Sequence, residues 1–161
     1  MPKYWSIAPW PSGEPQAYEQ VWSYDLANGV IVIGWDQVGD PSGLTRYELA
    51  RRFDEKCPEW PGGEHQVWDF YNEIQMEDVI LARKGLMYCV GLGRVTTPPW
   101  FDENNGRTRV SGLSSTVRSN FLGVEWQKDF RPVAVQNLFH RNTVNQIKDP
   151  SRYSDVLRQL R

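Results

Sequence analysis

The run Gly29-Val30-Ile31-Val32-Ile33-Gly34-Trp35-Asp36 decides how this chain is read. Four β-branched residues in succession leave no polar face, so the run predicts a strand covered on both sides. Asn28-Gly29 just before it is a helix stop, because glycine takes the left-handed conformation at little cost. Upstream, Ala17, Tyr18, Val21 and Trp22 recur at three-four spacing behind Pro15, which suits a first helical position. Lys3 to Ala8 reads as a short strand, stopped by the Pro9-Trp10-Pro11-Ser12-Gly13 turn cluster.

Downstream, Gly39 to Gly43 is loop and Thr45-Arg46-Tyr47-Glu48 is a capping box opening a helix through Leu49 and Phe53. Pro58 to Gly63 breaks the chain, and Val67, Trp68, Phe70, Tyr71 and Ile74 pattern another helix. Asp78 to Ala82 and Leu86 to Val95 predict two strands joined around Arg83-Lys84-Gly85. Gly91 and Gly93 in the second of these point to a bulge or a close backbone approach. Thr96 to Asn120 is polar and without period, and reads as a long loop. Phe121 to Trp126 and Arg131 to Val135 supply further strands, Thr143-Val144-Asn145-Gln146 resembles a helix start, and Tyr153, Val156, Leu157 and Leu160 suggest a terminal helix. Short strands mixed with four or five helices, and no internal repeat, predict one α+β domain over residues 1–161. Its expected form is a small curved sheet or open β-barrel flanked by helices.

No apolar run approaches the length of a membrane span. The N-terminal residues lack the apolar stretch of a signal peptide, and two widely spaced cysteines argue against a disulfide framework. The expectation is a cytoplasmic or nuclear protein. Net charge is only −2, but it is unevenly spread. Residues 1–82 hold 5 Lys/Arg against 14 Asp/Glu, and residues 83–161 hold 13 against 6. The second half is rich in arginine, whose planar fork suits phosphate. This points to a basic face for a polyanion, with chance asymmetry between segments of one fold as the plainer alternative.

Tryptophan is the other strong signal, with eight in 161 residues. Trp5, Trp22, Trp68 and Trp126 fall where a core would hold them. Trp10, Trp35 and Trp100 stand beside turn residues at the edges of apolar segments. An indole at a loop mouth is costly to leave wet unless it stacks on something equally flat, such as an unstacked base. Packing alone could also place all three there.

The order of short motifs resembles a known family. It runs Lys3-Tyr4-Trp5-Ser6-Ile7, a helix with Trp22, Gly29 to Trp35, Trp68-Asp69-Phe70, Asp78 to Gly85, Val90-Gly91-Leu92-Gly93-Arg94-Val95 and Val124-Glu125-Trp126. Over roughly residues 3–158 this is similar to the EVE/YTH branch of the PUA-like superfamily, especially the EVE-like modules of modification-dependent restriction systems. The resemblance implies a small barrel with a pocket that takes one flipped, modified base, N6-methyladenine or a modified cytosine, in DNA or RNA. It maps Trp35 to a wall of the aromatic cage, Asp36 to the residue that reads the base edge, and Trp100 to a second wall. Trp10 lies where family members place a polar pocket group. Arg141 matches a phosphate-contacting position. Arg94, Arg107, Arg109 and Arg118 would add to the phosphate term.

At Asp36 the chain departs from the family's small polar residue. A carboxylate accepts hydrogen bonds and so suits an exocyclic amino group such as cytosine N4–H₂, which favours a modified cytosine in DNA. As a structural residue, Asp36 would instead cap a turn, and Arg141 would pair with a carboxylate. His65, His140, Cys57 and Cys89 are too few and too scattered for a zinc quartet, and no Walker loop or nucleophile elbow is present. The expected chain is a specificity module with no cofactor, no metal and no catalytic engine, serving a nuclease or motor partner. The competing reading is a protein-interaction or small-ligand module on the same fold.

Overall fold

A computed structural model describes residues 1–113, 116–136 and 138–161. The chain folds as β1 (Tyr4–Ile7), α1 (Pro15–Asn28), β2 (Val30–Ile33), α2 (Arg46–Lys56), α3 (Gly63–Trp68), β3 (Val79–Lys84), β4 (Tyr88–Phe101), α4 (Glu103–Arg109), β5 (Asn120–Trp126), β6 (Val133–Ala134), β7 (Val144–Ile147) and α5 (Ser154–Leu157). The class is α+β. All strands join one mixed sheet in the order β2-β5-β4-β3-β1-β7, with β6 attached to β4. Among the described residues only β1 and β3 run parallel. The sheet is open, with β2 and β7 at its edges.

Period-two alternation sorts the strands onto two covered faces. Ile31 and Ile33 of β2, Ile80 and Ala82 of β3, and Leu122 and Val124 of β5 enter the main core with α1, α2 and α3. Their neighbours point the other way. Val79 and Leu81 meet Val135, Phe139, Tyr153 and Val156 of the C-terminal segment, while Val30, Val32 and Phe121 form a small third cluster with Tyr24 and Trp100. All four residues of β2 are buried, as its unbroken β-branched run requires. Each fully buried large apolar side chain contributes roughly 1.5–3 kcal/mol.

Local chemistry fixes several boundaries. Gly29 ends α1 at φ 62°, ψ 47°, and its N–H donates to the Asp25 carbonyl. Thr45 and Glu48 make the complete capping box of α2. Gly91 is a close approach: a Cβ there would lie 2.5 Å from the Trp22 ring, which meets Trp126 edge-on at 4.9 Å.

Two expectations are corrected. Residues 96–120 are not one loop, because β4 continues to Phe101 and α4 follows, with the Asp102 carboxylate accepting the Asn105 N–H at 3.0 Å. Pro98 and Pro99 fit within β4 because the register with β5 shifts between Thr97 and Trp100, where no ladder donor is needed. Thr143 to Gln146 starts no helix. Val144–Ile147 instead adds antiparallel to β1 as an edge strand, and the Val144 N–H donates to Gln66 of α3 at 2.9 Å. Among the described residues no helix is long and apolar enough to cross a membrane.

Candidate functional site

Where β2 ends, Gly34 and Trp35 turn the chain sharply. Trp35 has φ 64° and ψ 38°, left-handed backbone that a bulky residue adopts at a cost of order 1 kcal/mol or more. The surroundings hold it there. The Asp36 carboxylate accepts from the Ser119 N–H at 2.8 Å and from the Ser119 hydroxyl at 2.5 Å. Asn120 donates to the Gly34 carbonyl at 2.8 Å, and the Tyr71 hydroxyl donates to Asn120 at 2.6 Å. Beyond its ladder, the exit of β2 is therefore tied to the entry of β5.

That turn opens on a cavity of about 440 Å³, lined by Trp35, Asp36, Trp60, Val117, Arg118 and Thr143 among others. Gly34 follows one sheet edge and Thr143 precedes the other, so the cavity lies where the two edges of the open sheet converge. Trp35 packs on the main core beside Phe53, with ring centroids 6.4 Å apart. Trp60 is 54% exposed, yet its turn is held by its own N–H donating to the Cys57 carbonyl and by Gly63 donating to its carbonyl, both at 3.0 Å. Burial raises the Asp36 carboxyl above the usual carboxylate range, against the lowering effect of the Ser119 hydrogen bonds. Each of its oxygens accepts one bond from Ser119 and keeps a lone pair for a ligand donor.

Arg118 and Thr143 also line a second cavity, of about 380 Å³, with Trp10, Ser12, Arg83 and Arg141. Among the described residues no carboxylate lines it. The Arg118 guanidinium lies 4.6 Å from the centre of the Trp10 ring and donates to the Pro9 carbonyl at 3.4 Å. Burial, reinforced by the like charge of Arg109, pushes Arg118 down to about 10, so it stays protonated at neutral pH.

The expected tryptophans, Asp36, Arg118 and Arg141 fall in three places. Trp35, Asp36 and Arg118 meet at the first cavity, while Arg141 lines the second with an exposed side chain that no described residue pairs with. Trp10 is only 3% exposed, in the core, with its indole N–H donating to Glu14 at 3.3 Å; it floors the second cavity rather than walling the first. Trp100 does not face Trp35. It stacks on Phe121 at 5.5 Å and 25°, on the opposite face of the sheet, because its register partner Phe121 and Val32 alternate away from the main core.

The wider arginine set is also corrected. Arg94 donates to the Arg161 carbonyl at 3.1 Å and lines none of these cavities. Arg107 pairs with Glu103 at 3.7 Å. Arg109 is fully buried against Asp25, at 2.7 and 2.8 Å, and cannot reach a phosphate. Burial nonetheless pushes the Asp25 carboxyl up to about 6, opposed by Arg109.

Sequence reasoning passed over Trp60, treating Pro58 to Gly63 only as a chain break, and read Arg83 only as part of a turn. The signal for Trp60 was present. It has the proline flanks, in Pro58-Glu59-Trp60-Pro61-Gly62-Gly63, that singled out Trp10 and Trp100. No curated protein matches the chain. A family model does match over residues 10–148, and the chain belongs to that family, described as Domain of unknown function (DUF8426).

Proposed function

We propose that this chain is a non-catalytic module that binds nucleic acid and reads one modified base flipped into the Trp35–Trp60 cavity. DNA carrying a modified cytosine is the favoured ligand, with N6-methyladenine the other candidate base and RNA the other polymer. The resemblance to EVE/YTH modules, and with it a PUA-like assignment of the open sheet, belongs to this same proposal. A nuclease or motor partner would supply the chemistry that such a module leaves to others.

One observation carries the reading: two indoles and a hydrogen-bonded carboxylate line the same cavity of about 440 Å³. That volume lies within the roughly 300–1,000 Å³ of small-molecule sites. Each indole that stacks on a base contributes about 1–3 kcal/mol, enough to offset flipping, which costs a few kcal/mol on a duplex and less on a single strand. A base methyl buried among the rings adds about 0.8 kcal/mol. Selectivity therefore rests mainly on shape and on the free lone pairs of Asp36. Arg118 and Arg141, next to the base site, supply the phosphate contacts.

The test is a fluorescence titration against oligonucleotides that differ in one base: cytosine, 5-methylcytosine, 5-hydroxymethylcytosine, adenine or N6-methyladenine. The reading expects quenching and tightest binding with a modified base, lost in Trp35→Ala and Trp60→Ala and kept in Trp100→Ala. Equal affinity for modified and unmodified oligonucleotides contradicts base reading. Tight binding to a protein, with none to nucleic acid, favours an interaction module.

A further inference from the structure

A third cavity, of about 590 Å³, adjoins the arginine-lined one. The two share Ser12, Gly85 and Leu86, just as the arginine-lined and tryptophan-lined cavities share Arg118 and Thr143. The three lie in a row, each sharing lining residues with the next. Trp22, Met87, Tyr88 and Pro132 give the third cavity an apolar, partly aromatic lining, with Lys84 beside Glu19 at 3.1 Å on its rim. Tyr88 is 51% exposed, although β3 and β6 fix its backbone through pairing with Lys84 and Ala134. An aromatic ring that is half wet and carried on a fixed strand is a surface for stacking.

Arg83 stands between the aromatic ends. It is buried, and it donates to the carbonyls of Gly85, Arg141 and Asn142 at 2.8, 2.9 and 3.0 Å. Its Nε finds no partner among the described residues. Carbonyls hold the guanidinium in place but cancel none of its charge. The middle cavity therefore keeps a positive charge that no carboxylate among its described lining residues balances.

We infer that the ligand is a single-stranded oligonucleotide spanning all three cavities, with a phosphodiester over Arg83 and Arg141 and the base next to the flipped one stacked on Tyr88. This deepens the base-reading proposal and rests on it. The order aromatic, cationic, aromatic matches the base, phosphate, base of one strand, whereas a duplex keeps the neighbouring base paired and unavailable. An apolar peptide would fill the third cavity alone and leave Arg83 and Arg141 without a counterion.

Trinucleotides test it, carrying central 5-methylcytosine or N6-methyladenine and flanked either by thymidines or by abasic sugars. Abasic flanks keep the phosphates and remove only the neighbouring bases. The wild type should bind the thymidine-flanked probe about tenfold tighter, the gain from one stacked base. Tyr88→Ala should bind both probes alike, and Tyr88→Phe should restore the preference. Trp35→Ala should lose both. Equal binding of the two probes by the wild type, or a flank preference untouched by Tyr88→Ala, overturns the single-strand track and leaves the base pocket standing. A duplex that binds as tightly as the single strand also overturns it. Binding to neither probe, or binding indifferent to Trp35→Ala, overturns both readings.

Discussion

Gly63 packs against the Trp35 indole so closely that a Cβ at this position would lie 2.6 Å from Trp35 Nε1, and 2.7 Å from Phe53. The start of α3 can thus lie against the indole only because its first residue has no side chain, and the indole keeps its place at the cavity wall. Gly63→Ala should displace the ring and cost about 1–3 kcal/mol by overpacking, with a parallel loss of oligonucleotide affinity. Gly62→Ala is the control, since its Cβ would meet only Gln66 at 3.8 Å, an ordinary contact. Urea unfolding beside fluorescence titration separates the two effects. A stable Gly63→Ala with unchanged binding would show that the indole position is unimportant.

Asp36 connects pH to binding. Burial raises its folded-state pKa, so its contribution to stability is present below the unfolded value and is lost as pH rises through the folded one. At neutral pH the ionised carboxylate is therefore retained at a cost, and Asp36→Asn should be no less stable than the wild type. Recognition runs the other way. The ionised form is the acceptor, so affinity for a 5-methylcytosine oligonucleotide should fall on acidification, starting above the ordinary carboxylate value of about 4. Asp36→Asn should bind weakly without that fall. Matching pH profiles in the two proteins would remove Asp36 from the site.

Asp25 and Arg109 make a structural ion pair, fully buried on both sides. Asp25→Ala strands the guanidinium and should cost about 3–5 kcal/mol in denaturant unfolding, while replacing both residues by leucine should recover most of it. A mild effect from the single variant would mean that water reaches the pair.

Salt dependence sorts the remaining arginines. If Arg141 touches phosphate, Arg141→Ala lowers the slope of log affinity against log salt by about 1, and Arg94→Ala leaves it unchanged. The reverse result would move the nucleic-acid path to the C-terminal side of the sheet, where Arg94 meets Arg161.

The local chemistry of the fold was legible. Val30 to Ile33 announced a strand buried on both faces, Gly29 a helix end and Thr45-Glu48 a cap, because each is decided within a few residues. Val144–Ile147 was misread because a Thr-x-x-Gln pattern says helix locally, whereas pairing with β1 is a contact across the whole chain. The site was half legible for the same reason. Trp35, Asp36 and Arg118 lie near neighbouring strand ends and line one cavity, whereas Trp100, expected as the second wall of the cage, lies on the other face of the sheet. Strand alternation fixes that face only when the register is known, and two shifts separate Val95 from Trp100. Trp60 enters the cavity from the turn ahead of α3, a juxtaposition that no spacing along the chain encodes.

The most direct measurement is fluorine NMR of the protein labelled with 5-fluorotryptophan, each of the eight resonances assigned by single replacement. On adding a 5-methylcytosine oligonucleotide, the Trp35 and Trp60 signals should shift together and the Trp100 signal should stay still. Movement of Trp100 while Trp35 and Trp60 remain in place would contradict a base site at the converging edges of the sheet.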